Sequence, residues 1–250
     1  MNIYKKIHIH FFYYGVALIS IMTGMFREFI IFSSIIIIHE MGHIITALYF
    51  KWKIDKVIIL PFGGITVFKE HINRPIKEEF FILIMGPLIQ ILFYIWCNGM
   101  FGNNLILTNY HYAILFFNLL PIYPLDGSKL INILLNKIIS FKKSHLTMLY
   151  MSVIIFFLLL YFILNYQLNL LYILILFFLL LKVLEEIRRH NYIFNKFLFE
   201  RLIYEFKFTR NKIIKGDNVN KMYRNHKHLF FFNNKYCSEK EILQKKFDFH

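Results

Sequence analysis

Cysteine is scarce in this sequence, which has two such residues in 250, Cys97 and Cys237. They lie far apart and in different surroundings, the first in an apolar run and the second in a charged tail. Two cysteines so placed form neither a disulfide framework nor a cysteine metal cluster. The sequence therefore excludes a small disulfide-stabilised scaffold, and any metal site must use other ligands.

A small-residue cleavage site is also missing from the N-terminal region. The chain begins MNIYKKIHIH and continues into an apolar run, a pattern that superficially resembles a signal peptide. Because no cleavage site precedes Arg27, we expect this run to be an uncleaved first membrane span. The sequence contains no internal repeat.

Acidic residues are few: 15 Asp and Glu stand against 29 Lys and Arg, and the net charge is +14. Residues 182–250 hold 16 basic and 8 acidic residues, and most of the remaining excess lies in short loops between apolar runs. This distribution is typical of the positive-inside bias of membrane proteins, with anionic lipid as a further attraction for the tail. We therefore expect a lipid bilayer as a partner and no nucleic acid.

Apolar residues dominate the composition, at 58%, with a mean hydropathy of +0.51. Several runs approach bilayer length, and we predict an all-α polytopic membrane protein with about six transmembrane helices. Residues 1–185 form the predicted membrane domain, and residues 186–250 form a basic cytoplasmic α/β tail. The predicted spans are residues 9–26, 29–50, 79–97, 110–123, 146–164 and 168–181.

The basic residues also predict the orientation of the chain. The loops at 51–78 and 128–145 and the tail hold nearly all the Lys and Arg between spans, whereas those at 27–28, 98–109 and 165–167 hold one Arg. Since basic loops stay in the cytoplasm, we expect both termini to be cytoplasmic.

A β-hairpin is predicted between the second and third spans. Two β-branched runs, 54–60 and 65–68, flank the turn sequence Pro61-Phe62-Gly63-Gly64. One interpretation is an ordinary cytoplasmic hairpin. The other is an edge strand at the membrane face that pairs with an extended substrate, with Phe62, Gly63 and Gly64 as candidate contacts.

The second span contains three titratable residues, His39, Glu40 and His43. On a helix, His39 and His43 share one face and can offer two imidazole nitrogens to one metal ion, and Glu40 is close enough to reach a water at that ion. Titratable groups at bilayer depth cost several kcal/mol unless they are paired. The spacing favours Zn²⁺, although a chance motif with packing histidines is the alternative.

A catalytic zinc ion needs a third protein ligand. The candidates are Asp126, Asp55, Glu70 and a scatter of histidines at loop or span margins, which include His111, His145 and His190. Asp126 differs from these because Pro121 and Pro124 precede it and forbid a regular helix, and Gly127 allows a sharp turn. It is either a ligand or the cap of a helix over 127–139.

Two motifs give the chain a resemblance to a known family. HEMGH within a span, followed by NLLPIYPLDG at 118–127, resembles the site-2 protease family of intramembrane zinc metalloproteases. The similar region covers residues 30–135 and includes Pro61-Phe62-Gly63-Gly64 and Gly86-Pro87-Leu88. The resemblance implies Zn²⁺ held by His39, His43 and Asp126, Glu40 as general base, and Asn118 as a contact for the substrate backbone.

The size, the early His-Glu span and the short tail are most similar to the sporulation members of that family. The resemblance implies a membrane-associated protein substrate, namely a pro-sigma factor, together with membrane-protein regulators and a homo-oligomer as an open alternative. Gln90 stands where many relatives have Asn. Those members also carry a C-terminal CBS domain, and here residues 228–233 and 238–246 predict one strand and one helix of such a module.

Two other classes remain as alternatives at this point. A non-enzymatic transporter or scaffold would spread its polar groups along a pathway, whereas here they lie at metal-ligand spacing. A prenyl-protein peptidase also uses His-Glu-x-x-His but takes its third ligand from a downstream glutamate. The candidates for that role, Glu185 and Glu186, follow the last predicted span, which disfavours this class.

Overall fold

A computed structural model describes residues 7–60, 63–166, 170–208, 210–232 and 234–247. The chain divides into two compact units, residues 1–70 with 77–119 and residues 71–76 with 120–250. In chain order the elements are β1 (Ile7–Ile9), α1 (Phe11–Met22), α2 (Phe26–Tyr49), β2 (Ile54–Leu60), β3 (Gly63–Phe68), α3 (Ile76–Phe101), α4 (Leu105–Leu119), α5 (Asp126–Ile138), α6 (Phe141–Tyr166), α7 (Leu170–Ile203), β4 (Arg210–Lys215), β5 (His226–Phe232), β6 (Lys235–Ser238) and α8 (Glu239–Phe247).

Three helices are long and apolar enough to cross a membrane: Phe26–Tyr49, Ile76–Phe101 and Phe141–Asn165. They correspond to the predicted second, third and fifth spans. Within the described part of the chain, α1 and α4 are apolar but shorter. The total of six spans stays a prediction.

The other predicted spans have different bounds in the structure. The first begins with strand β1 and its helix ends at Met22. The fourth ends at Leu119, because Pro121 disfavours helical backbone at the residue before it. The sixth continues far beyond its apolar part, to Ile203, since the last turns of α7 bury Phe197 and Leu198 in a separate core.

The predicted hairpin is confirmed in the first unit. Strands β2 and β3 are antiparallel, with Ile58 opposite Ile65, and β1 pairs with β2 in parallel. The strand order is β1-β2-β3, so β3 is an edge strand of this sheet. The predicted turn residues Pro61 and Phe62 lie outside the described residues.

Helix α2 packs against α4 and α3 in the first unit. One apolar cluster joins Ile35 and Ile36 of α2 to Cys97, Leu107 and Ile114. At another point α2 and α3 approach backbone to backbone, because a Cβ atom added to Gly42 would overlap the carbonyl oxygen of Met85. Glycine is required where two helices come this close. The close packing lies next to Gly86-Pro87, since the same Cβ atom would also lie 2.9 Å from the Cα atom of Gly86.

In the second unit, the stretch before α5 is irregular, as its two prolines predict. Residues 120–125 form turns in which the Leu125 amide donates to the Ile122 carbonyl at 2.9 Å. The amide of Tyr123 donates to the hydroxyl of Ser152 on α6 at 3.2 Å. These bonds satisfy backbone groups that a helix would have paired internally.

The tail forms a small sheet that packs with α8 against the end of α7. The strand order is β4-β5-β6, with β4 parallel and β6 antiparallel to β5. Its core includes Phe197, Met222, Phe230 and Leu243. Strand β5 and helix α8 confirm the strand and helix predicted for the tail, whereas β4 and β6 were not predicted and the CBS assignment stays a prediction.

A buried arginine organises the tail. Arg201 donates to Glu239 Oε1 at 2.8 Å, to Asn73 Oδ1 at 2.7 Å and to the carbonyl oxygen of Arg224 at 2.6 Å. Burial raises the pKa of Glu239, but the hydrogen bond with His228 and the charge of Arg201 outweigh it and hold that pKa below its ordinary value. The buried charge is thus compensated by an acid and by backbone carbonyls.

Candidate metal centre

Two histidines of α2 form the centre of the site in the first unit. His39 and His43 are 2% and 4% exposed, and their Nε2 atoms lie 3.1 Å apart. Two nitrogens at 2.0–2.1 Å from a tetrahedral zinc ion are about 3.3 Å apart. The pair therefore fits two ligands of one zinc ion, and the one-turn spacing read from the sequence produces this geometry.

The other ring nitrogens are fixed by partners on α3. The Nδ1 atom of His43 donates to the carbonyl oxygen of Ile82 at 2.7 Å, and the Nδ1 atom of His39 lies 2.8 Å from Oε1 of Gln90. A carbonyl oxygen only accepts, so each Nδ1 carries the proton and each Nε2 keeps its lone pair. Both rings are thus held in the tautomer that binds a metal through Nε2.

Gln90 has a role that the sequence did not reveal. Its side chain is fully buried, and its Nε2 atom donates to the carbonyl oxygen of His111 at 3.0 Å. This bond sets the orientation of the amide and leaves Oε1 for His39. The feature of the sequence that could have indicated this role is the position of Gln90, a single amide within a long apolar run. His111, expected at a span margin, is 2% exposed and stacks on Tyr94 with ring centroids 4.2 Å apart.

Gly86 of α3 is the point where the two helices meet at the histidines. A Cβ atom there would overlap the ring of His43 and would lie 3.0 Å from His39 Nε2. Any larger residue would occupy the space at the two Nε2 atoms. The glycine of the Gly86-Pro87 pair is thus required by the close approach of the two histidine rings.

The carboxylate of Glu40 lies between α2 and β3. The hydroxyl of Thr66 donates to Glu40 Oε2 at 2.7 Å, and the residue is 7% exposed. A Cβ atom on Gly64 would lie 2.8 Å from Oε1. Gly64 therefore leaves room for the carboxylate. Thr66 was not predicted as a residue of the site.

Asp126 belongs to the second unit. It is the first residue of α5 and is 8% exposed. The N-cap position belongs to Leu125, and no side-chain cap bond is made there. The expected helix thus starts one residue earlier than predicted. Asp126 Oδ1 lies 3.3 Å from Lys129 Nζ.

The remaining candidates lie in varied surroundings. Asn118 is half-buried in the last turn of α4, Gly63 is half-buried at the start of β3, and Phe62 lies outside the described residues. Glu70 Oε1 accepts from the Lys53 amide at 2.5 Å. Glu186, considered for a peptidase of another type, lies 3.1 Å from His145 Nε2.

Paired histidines with an adjacent glutamate on an apolar helix are the arrangement of a zinc metallopeptidase built into a membrane. The model for "Peptidase family M50" matches residues 28–106 of this chain. The chain is 37% identical to stage IV sporulation protein FB of Bacillus subtilis over 209 residues. This match covers 80% of this chain and 73% of that protein.

A zinc metalloprotease of Methanocaldococcus jannaschii is 29% identical over 160 residues, which are 58% of this chain and 46% of that protein. The solved structure of a site-2 protease from the same organism superposes with a TM-score of 0.57 at 25% identity, over 72% of this chain and 89% of the other. The chain therefore belongs to peptidase family M50, the site-2 protease family, and is an integral membrane zinc metalloprotease.

Proposed function

We propose that this chain is an intramembrane endopeptidase that uses His39, His43 and Asp126 as zinc ligands and Glu40 as general base. The observation that carries the proposal is the pair of Nε2 atoms 3.1 Å apart on an apolar helix, beside a buried carboxylate. Asp126 is the proposed third ligand because it is buried, offers a carboxylate oxygen and ends the proline-containing stretch of the family motif.

The chemistry follows from the donor set. Two neutral imidazoles and one carboxylate leave one position of a four-coordinate zinc open. When bound, zinc supplies Lewis acidity, which lowers the pKa of water and polarises a peptide carbonyl. Proton transfer is then carried out by a residue of the chain.

Glu40 is the proposed proton carrier. Its carboxylate accepts the proton that water loses as it attacks the peptide carbonyl carbon, and then delivers that proton to the leaving amine. The C–N bond breaks, and an acid and an amine are formed. Burial of Glu40 and its bond to Thr66 keep the carboxylate in one place during this transfer.

The substrate must be extended at the cleaved bond, because a helix hides its carbonyl groups in its own hydrogen bonds. We propose that the extended segment pairs with the edge strand β3, which contacts the Glu40 carboxylate through Thr66 and Gly64. Phe62, Gly63 and Gly64 are the proposed contacts on this strand and its turn. The amide of Asn118 is the proposed partner of the substrate backbone or of the developing oxyanion.

The substrate class is proposed from the relatives. The 37% identity to a sporulation protein favours a membrane-associated protein made in the same compartment, namely a pro-sigma factor. A cytoplasmic location for both termini, proposed from the basic loops, would let such a substrate reach the site from the cytoplasm.

The test is co-expression of the chain with candidate membrane-tethered pro-proteins. Wild type should release a product whose N-terminus identifies the cleaved bond, and Glu40→Gln should keep the fold and one zinc per chain but release no product. Cleavage by Glu40→Gln would refute the role of Glu40 as base.

The third ligand is tested by metal analysis of purified protein. Asp126→Asn should lose zinc and activity together, whereas Asp55→Asn, a change at an exposed acid of β2, should lose neither. Full zinc content in Asp126→Asn would remove Asp126 from the ligand set without affecting the proposal for Glu40.

A further inference from the structure

We infer that Thr66 is a positioning residue for Glu40, and that its hydroxyl group fixes the carboxylate in the orientation used for proton transfer. The inference rests on the proposed role of Glu40 as general base. Its basis is the hydrogen bond from Thr66 Oγ1 to Glu40 Oε2, 2.7 Å long, between strand β3 and helix α2.

The carboxylate needs such a restraint. A glutamate side chain has three rotatable bonds and loses up to about 2 kcal/mol of rotamer entropy when it is held in one position. Glu40 is 7% exposed, so bulk water does little to solvate it. A hydroxyl that donates to an ionised oxygen makes a bond about twice as strong as one between neutral groups. Thr66 thus both stabilises and orients the charge.

Strand β3 borders both oxygens of the carboxylate. Successive residues of a strand point to opposite faces, so Gly64 and Thr66, two positions apart, face α2 together. The missing side chain at Gly64 leaves room for the Glu40 side chain, since an added Cβ atom would overlap its Cγ and Cδ atoms and lie 2.8 Å from Oε1, and the hydroxyl of Thr66 holds Oε2. Because Oε2 accepts the hydrogen bond of Thr66, we assign the transferred proton to Oε1.

The arrangement couples substrate binding to the orientation of the base. If a substrate pairs with β3 through backbone groups, it orders the strand that carries Thr66. The hydroxyl of Thr66 takes no part in that pairing. Its removal should therefore slow the chemical step much more than it weakens substrate binding.

The test compares two substitutions in the full chain. Thr66→Val keeps the branched shape and the strand propensity but removes the hydroxyl, and Thr66→Ser keeps the hydroxyl. We expect Thr66→Val to lower kcat about 10- to 100-fold with a much smaller change in KM and with full zinc content, since bonds to charged groups contribute about 1.5–3 kcal/mol. Thr66→Ser should restore most of the kcat.

A second readout needs no activity. In zinc-free protein, Glu40→Ala and Thr66→Val should both speed amide hydrogen exchange in residues 63–68. Glu28→Ala, a change on the helix that carries Glu40, should not. Unchanged exchange in all three variants would mean that the bond does not restrain the hairpin, which contradicts the inference.

The outcomes separate this inference from the function on which it rests. A wild-type kcat in Thr66→Val, with Glu40→Gln inactive, overturns the role of Thr66 alone. An equal loss in Thr66→Ser and Thr66→Val, or a loss of zinc in either, makes Thr66 merely structural. Cleavage by Glu40→Gln overturns the base itself.

Discussion

At the scale of single residues, the site depends on the partners of the two histidines as much as on the histidines themselves. The Nδ1 atoms of His39 and His43 are both engaged by α3, one by a side-chain amide and one by a backbone carbonyl. Only the first of these partners can be removed by substitution. Gln90 is therefore the residue through which the orientation of a proposed zinc ligand, His39, can be tested.

We predict that Gln90→Leu lowers zinc affinity about 10- to 100-fold, the usual effect of losing the partner that orients a ligand. The change keeps the size of the side chain but leaves His39 Nδ1 without its acceptor. Competition with a chelator measures the effect in purified protein, and Leu88→Ala, an exposed position on the same helix, is the control. Equal affinity in Gln90→Leu and wild type would contradict the prediction.

At the scale of elements, the site is made by the close approach of α2 and α3. Gly42 and Gly86 sit where a side chain would collide with the opposite helix, in one case with backbone and in the other with the histidine rings. Helix α3 also carries Gly99, where an added Cβ atom meets nothing within 4 Å. The two glycines of α3 thus form a matched pair for a test.

We predict that Gly86→Ala abolishes zinc binding, because the new methyl group would occupy the space of the His43 ring. Gly99→Ala should keep full zinc content, since it adds the same methyl group to the same helix in open space. Metal analysis of the two purified variants gives the answer directly. Zinc retained by Gly86→Ala would show that α2 and α3 can separate at little cost.

The sequence predicted the elements of the site better than the contacts between them. The four-residue spacing of His39 and His43 determines their common face, and the hairpin followed from its β-branched runs. Gln90 and Thr66 were missed because their partners are 51 and 26 residues away in the chain. The end of α7 was missed because its apolar residues pack against a tail that has no strong local pattern.

At the scale of the whole molecule, three helices are long and apolar enough to span a bilayer. The described part of α7 does not meet that criterion as a whole, since its C-terminal part is charged and packs against the tail. An experiment in intact cells tests the side of the membrane on which each loop lies.

We predict that the loop before α4 and the tail lie on opposite sides of the membrane. After Cys97 and Cys237 are replaced by serine, Asn103→Cys should react with an impermeant maleimide in intact cells. Asp217→Cys, an exposed tail position, should react only after the cells are opened. Labelling of both positions from the same side would refute the proposed orientation.

Strand β1 has a practical consequence for work on this enzyme. Residues 7–9 pair in parallel with β2, whose other edge holds the strand that contacts Glu40. Deleting residues 7–9, or fusing a bulky tag directly before them, would disturb the pairing of β2 and loosen the hairpin beside the carboxylate of Glu40. An affinity tag is therefore better attached at the other end of the chain.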